Sequence, residues 1–233
     1  MTKIIKNPLA LSGLIIIFTI LILAIFASVI APYDPNYINI NSILLGPSIH
    51  HFMGTDGLGR DVFSRMLYGA QISLLVGFVA VGISTLIGII LGSIAGFYRG
   101  WVDSMIMRFV DIMLSIPTFF LILAVIAFLT PSIWNIMIVI GLTSWMGVTR
   151  LVRAEFLSLR RREFILASET MGASDFDIIT KHLLPNSITP IIVSSVLGIA
   201  SAVLVESGLS FLGLGVQAPT ASWGNILTDG KEY

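Results

Sequence analysis

The stretch ISLLVGFVAVGISTLIGIILGSIAGFY, residues Ile72–Tyr98, carries no charged side chain. A hydrocarbon core of about 30 Å is crossed by roughly 20 apolar residues in helical form, so this stretch is long enough to span a bilayer. Within it Ser84, Gly88, Gly92 and Gly96 recur at every fourth position. That spacing lays four small residues along one helix face, where a second backbone can come close. The pattern predicts a span packed tightly in a bundle or dimer rather than a lone anchor.

Four further stretches qualify on either side: Leu9–Ala31, Met105–Leu129, Ile133–Val152 and Ser187–Leu212, the last interrupted only by Glu206. The composition agrees, because only 11% of the 233 residues are charged while 56% are hydrophobic. The mean hydropathy is +0.97. Soluble domains carry about 25% charged residues, so this chain could not cover its own surface in water. The expected fold class is an all-α, polytopic membrane helix bundle with five spans. Lys3 and Lys6 precede the first span as in a signal peptide. Its apolar run exceeds the usual length of about 7–15 residues, and cleavage after Ala31 would leave Pro32 first, so an uncleaved anchor is expected. The organisation is then a cytoplasmic end with the first span (1–31), an extracytoplasmic loop (32–71), and a core (72–233) with a cytoplasmic loop at 153–186.

Basic residues set the orientation. With the N-terminus inside, Lys3, Lys6, Arg99, Arg108, Arg150, Arg153, Arg160, Arg161, Arg162 and Lys181 are cytoplasmic, while Arg60, Arg65 and Lys231 are outside. The 13 basic residues balance 13 acidic ones, which argues against a nucleic-acid partner. No cysteine is present, so disulfides, thiolate metal sites and cysteine nucleophiles are excluded. In the third span Arg108 and Asp111 are spaced to pair with each other, and Pro117 permits a kink. Glu206 falls near the outer end of its span, where it is either a gate element or a solvated end residue.

No catalytic constellation emerges. The phosphate-binding loop G-x-x-x-x-G-K-[ST] has only a failed approximation at Gly224 to Gly230-Lys231, with Glu232 at the hydroxyl position. His50 and His51 lack a third ligand at zincin spacing and read as solvated loop residues, and His182 reads as a contact or cap. Asp56, Arg60 and Asp61 of the outer loop either pair with each other or face a binding protein. A membrane enzyme therefore has no support, and no metal or cofactor is expected in the chain.

Between Arg153 and Asn186 apolar residues (Phe156, Leu157, Leu159, Phe164, Ile165, Met171) interleave with charged ones (Glu155, Arg160, Arg161, Arg162, Glu163, Glu169). Gly172 marks a helix stop. Ser174 with Asp177 reads as a loose capping box that opens a second helix, ending at Pro185. Two short helices meeting at a glycine turn are expected, their remaining apolar residues covered by a protein partner or the membrane surface.

The run EFILASETMGASD (Glu163–Asp175), continuing to His182-Leu183-Leu184-Pro185-Asn186, resembles the EAA loop of ABC-importer permeases. Ala167, Gly172, Leu184 and Pro185 match that pattern in register; Leu166, Ser168 and His182 stand where it has Glu, Ala and Ile. Gly54-Thr55-Asp56 with Leu58-Gly59-Arg60-Asp61 agrees, as does the run Leu209–Gly215 followed by Trp223-Gly224. Together they are similar to the second permease subunit of dipeptide, oligopeptide and nickel importers, over nearly the whole chain. The resemblance implies a transport subunit without enzymatic activity, for peptides, nickel or related small solutes. It also implies that Glu163, Ala167, Ser168, Gly172, Ala173, Ser174, Asp175, His182, Leu184 and Pro185 couple the spans to separate cytoplasmic ATPase subunits, which use the ATP. A second homologous permease subunit, an extracytoplasmic solute-binding protein and the lipid bilayer are the other implied partners. The family pattern runs on to a sixth span, so the chain is expected to be incomplete at its C-terminal end. The contrasting expectation is an ion-coupled secondary transporter or channel, which would need ionisable groups near the midplane or repeat-related broken helices.

Overall fold

The computed structural model describes residues 7–231, and its regular structure is helical apart from one isolated bridge between Thr55 and Asp61 among the described residues. Lys3 and Lys6, counted above on the inner side, lie outside the described residues. Two compact units form: one holds the described residues up to Leu75 together with those from Glu206 onward, the other is Val76–Val205.

Helix α1 (Pro8–Ile25) begins at Asn7, whose side-chain oxygen accepts from the Leu9 and Ala10 N–H groups. Pro8 fills the first position, where its missing N–H leaves no bond unmade. A further turn, Ala27–Ile30, completes the expected first span. Most of α1 is exposed; Ala24 and Ala27 are buried, and Gln71 donates to the Ala24 carbonyl at 2.7 Å.

Helix α2 (Val62–Tyr98) has 37 residues and starts well before the expected boundary at Ile72. Asp61 is the reason. Its carbonyl accepts from the Arg65 N–H at 3.1 Å and its carboxylate from the Ser64 N–H at 2.8 Å, the two bonds of an N-cap. At about 1.5 Å per residue α2 is about 55 Å long, more than a bilayer core requires.

In the Val76–Val205 unit the small-residue row of α2 lies against α6 (Trp145–Leu159). A Cβ added at Gly88 would sit 2.5 Å from Val148 Cβ, one at Gly92 2.7 Å from Val152 Cβ, and one at Gly96 2.6 Å from Phe156 Cβ. Both rows step by four and rise together, so α2 and α6 run parallel. Against α8 (Leu184–Phe211) the order reverses: Gly77 faces Ile199 and Val203, Gly198 faces Val81, and Thr85 bonds Ser195. Ser84, one step up the same row, is buried and its Oγ donates to the Val81 carbonyl at 3.1 Å.

The expected third span is a bent pair, α3 (Gly100–Ser115) and α4 (Thr118–Ile126), turning by 79° at Ile116-Pro117. Among the described residues four helical stretches are long and apolar enough to cross a membrane, Ile133–Leu159 being one of them, and this pair makes a fifth when counted as one span. The parallel run of α2 and α6 requires that count, because the chain must return once between them. The fourth span is also in two pieces, α5 (Ile133–Thr143) and α6, separated at Ser144. There the Thr143 hydroxyl donates to the Val139 and Ile140 carbonyls, the kind of back-bonding that bends helices. Arg108 and Asp111 do not pair as expected. Asp111 instead bonds Arg150 of α6, and Arg153 grips Asp103 with Nη2 to Oδ2 at 2.6 Å. Pairing within a helix lost to pairing between helices that spacing along the sequence does not reveal.

Replacing Gly92 with Leu should cost about 1–3 kcal/mol through overpacking, read as a lower unfolding midpoint in detergent. Gly82→Ala, where an added Cβ meets nothing within 4 Å, should leave the midpoint unchanged or raise it. Equal losses for the two variants would refute the close contact.

Candidate functional site

Helix α7 (Glu163–Thr170) follows α6 and ends at Gly172, whose φ is +81°. The Gly172 N–H bonds the Glu169 carbonyl and the Ala173 N–H the Ser168 carbonyl, both at 3.1 Å. These two bonds make a Schellman motif, which needs a left-handed residue at Gly172. No atom lies within 4 Å of a Cβ built there, so backbone conformation alone calls for glycine. Ser174 then caps the next turn: its Oγ accepts from the Asp177 N–H at 3.2 Å and donates to Asp177 Oδ2 at 2.7 Å.

The second helix does not stop at Pro185. The turn Asp175–Asp177 passes through a π-helical segment, Ile178–Leu183, straight into α8. In a regular α-turn the ring of Pro185 would press on the Lys181 carbonyl. The wider π turn makes room for the ring, and the Leu184 N–H reaches back to the Ile179 carbonyl. Asn186 Nδ2 and Ser187 Oγ bond the carbonyls of His182 and Leu183 at 2.7 and 2.9 Å, which mends the ladder on its far side.

This hairpin is anchored. Ile165 of α7 and Ile178 and Leu183 of the π turn are buried with Phe97 of α2 and Val152 and Phe156 of α6, and Ala173 and Leu184 pack on that cluster. Arg160 ties the ends together. It donates to the Phe97 carbonyl, lies 4.3 Å over the Phe97 ring, and meets Glu169 at 3.3 Å. The remaining residues picked out in sequence lie on or near the surface: Glu163, Ala167, Gly172, Ser174, Asp175 and Pro185 are exposed, while Ser168 and His182 are half-buried. Beside them Phe164, Leu166, Met171 and Phe176 leave apolar surface uncovered, Met171 at 86% and Phe176 at 73%. Phe97, Phe156 and Arg160 were not singled out as site residues, because nothing local marks a contact across more than fifty positions.

In the other unit Glu206 is fully buried, so it is not a solvated end residue. Its Oε1 accepts from Ser210 Oγ at 2.7 Å and Ser222 Oγ at 2.9 Å, and Oε2 from Ser73 Oγ at 3.4 Å. Each serine oxygen accepts in turn from a backbone N–H, those of Val216, Asn225 and Trp223. Backbone N–H groups cannot reverse, so the hydroxyl hydrogens are left to point at the Glu206 carboxyl oxygens. The network seats the N-terminus of α9 (Trp223–Gly230) against α2 and α8. At the other end of α9 Asp229 meets Arg60 at 2.8 Å and Arg65 at 3.2 Å, and Arg60 also holds Asp56 at 2.7 Å. His51 is not an incidental loop residue either. Its Nδ1 lies 2.8 Å from Asp61 Oδ1 and its ring stacks on Tyr33. Among the described residues no group of three or more ligating side chains could hold a metal ion.

Glu206→Gln places an amide donor where three hydroxyl hydrogens converge. Disrupting a buried network of this kind costs about 1–3 kcal/mol, so proteolysis of the segment 213–222 should quicken while Glu206→Asp gives a milder effect. Unchanged protection in Glu206→Gln would show that the network does not hold this segment.

Residues 88–231 match the family described as binding-protein-dependent transport system inner membrane component, and residues 1–47 match the N-terminal transmembrane domain of oligopeptide transport permease C. A dipeptide transport system permease protein of Alkalihalophilus pseudofirmus is 45% identical over 98% of this chain and 75% of its own length. A probable D,D-dipeptide transport system permease protein of Escherichia coli is 42% identical over 97% of this chain and 76% of its own. In fold, the chain is similar to one chain of the inward-facing methionine ABC transporter MetNI, with a TM-score of 0.55 at 18% identity, over 71% of this chain and 88% of that one.

Proposed function

The chain belongs to the family of inner membrane components of binding-protein-dependent transport systems, and on that premise we propose that it is the permease subunit of an ATP-driven peptide importer whose loop 153–186 receives the stroke of a separate ATPase. It is a multi-pass inner-membrane protein and a transport subunit, not an enzyme. Its N-terminus is cytoplasmic, which puts Arg150–Lys181 on the side where ATP is found. ATP belongs to the partner subunits. A second homologous permease and an extracytoplasmic solute-binding protein complete the assembly, and peptides are the transported class, as the names of the relatives suggest.

One observation carries this reading. A hairpin rigidly based on Phe97, Phe156 and Arg160 offers an uncovered apolar tip, Met171 and Phe176, at its turn. A floppy loop would absorb a push, whereas this one passes it to α6 and α8, because both helices share the buried cluster beneath it. Part of the charge around the tip is committed: Arg160 pairs with Glu169 and Lys181 with Asp177. Contact with the ATPase therefore draws on the apolar Met171 and Phe176 together with the exposed Arg161, Arg162 and Asp175 around them. Large buried side chains of this kind dominate interface energies.

Met171→Asp with Phe176→Asp should weaken ATPase association at least about tenfold, the effect of losing 1.4 kcal/mol, in co-purification of the full chain from membranes. Gly172→Val forces a β-branched residue into the left-handed region, at about 1–2 kcal/mol. ATP hydrolysis should then run without uptake, and Gly172→Asn should restore part of the coupling. A transport-competent assembly lacking any ATPase would overturn the reading.

A further inference from the structure

Within the Val76–Val205 unit, α2, α8 and the junction of α5 with α6 surround an open groove of about 240 Å³. Six hydroxyl side chains line it: Ser84 and Thr85 from α2, Ser144 at the junction, and Ser194, Ser195 and Ser201 from α8. Its lining contains no charged residue among the described residues. The composition is unusual for its place, since hydroxyls facing hydrocarbon lose their hydrogen-bond partners. Helix α8 separates two characters. Ile192, Val193, Val196, Leu197 and Leu204 are exposed and apolar, while the serines gather at the groove.

The hydrogen bonds define what the groove offers. Ser84 Oγ donates to the Val81 carbonyl at 3.1 Å, Ser195 Oγ to Ile191 at 2.9 Å and Ser201 Oγ to Leu197 at 3.3 Å. With the Ser195 hydrogen committed, Thr85 must be the donor in the 3.0 Å bond between Thr85 and Ser195. Four hydroxyl hydrogens are thus spent, and oxygen lone pairs remain. Across the groove, Ser144 caps no N–H of α6 with its side chain, so its hydroxyl is free to donate. The wall thus offers lone pairs on the four committed hydroxyls and hydrogens on Ser144 and Ser194, without net charge. An amide, with one N–H and one carbonyl, complements it; an isolated carboxylate or ammonium finds no counter-ion.

We propose that this groove is the solute-contacting wall of the transport path and that it receives uncharged amide groups, leaving the charged ends of a peptide to water at the open side. The proposal rests on the permease reading above and adds to it the residues that meet the solute. It also explains why polar side chains cluster at one level of otherwise apolar helices.

The absence of native cysteine makes a direct test possible. Ser201→Cys and Leu204→Cys are introduced singly into the full chain in its membrane assembly and exposed to a charged methanethiosulfonate. The thiol at 201 should react at least about tenfold faster than that at 204, because thiol modification follows access to water. Matched rates mean a groove filled by lipid or by a partner helix and overturn the proposal. Thr85→Val with Ser195→Ala should raise the KM for dialanine uptake severalfold with kcat retained; an unchanged KM beside rapid labelling overturns the amide assignment. The two readings fail separately. Loss of ATPase association with the labelling contrast intact counts against coupling alone, and matched rates in an assembly that hydrolyses ATP count against the groove alone.

Discussion

The close approach of α2 to α6 is the contact from which the Val76–Val205 unit takes its order. Three glycines at four-residue spacing meet Val148, Val152 and Phe156 at the same spacing, so the two helices are fixed in direction as well as distance. Lipid offers no hydrophobic drive for helices to associate, and packing must supply it. Side chains at Gly88, Gly92 and Gly96 would hold the backbones apart. The parallel run then requires one return between α2 and α5, which the bent pair α3 and α4 provides. It also brings Phe97 beside Phe156, the floor on which the hairpin of α7 and the π turn is built.

Several of the scarce charges join segments distant in sequence. Arg150 and Arg153 bind α6 to α3, Arg160 binds it to α7, and Arg60 of the loop before α2 and Arg65 of its first turn bind α9. A count of basic residues along such a chain does not reveal that Arg60, Arg65, Arg150, Arg153, Arg160 and Lys181 are already paired. At the hairpin, pairing of Arg160 and Lys181 leaves Arg161 and Arg162 beside the apolar tip of Met171 and Phe176.

Much of the fold was legible because its signals are local. Apolar runs gave the spans, Pro117 the bend, and Gly172 with Ser174 the hairpin turn, each through a rule that operates within a few residues. The misses share a different cause. The partners of Asp111, Glu206 and His51 come from elsewhere in the chain or from a loop whose path no periodicity records. Pro185 misled for a subtler reason: proline ends an α-helix by a clash that a π turn relieves, and nothing in IITKHL announces that turn. The start of α2 was legible in principle, since Asp61 followed by Ser64 is an N-cap pattern, but Arg65 and Gln71 interrupt the apolar run ahead of Ile72 and mask it.

The π turn also constrains how this region can vary in length. Each residue of an α-helix advances the side chains by about 100° around its axis, so an insertion or deletion between Asp175 and Ser194 would swing the serines of α8 away from the groove or turn the hairpin off its floor. A π turn holds one residue more than an α-turn needs. It is the one site in the stretch where a residue can be removed while the helical phase on both sides is kept. Relatives that change length here without losing either face should therefore do so between Ile178 and Leu183, trading the wide turn for a regular one.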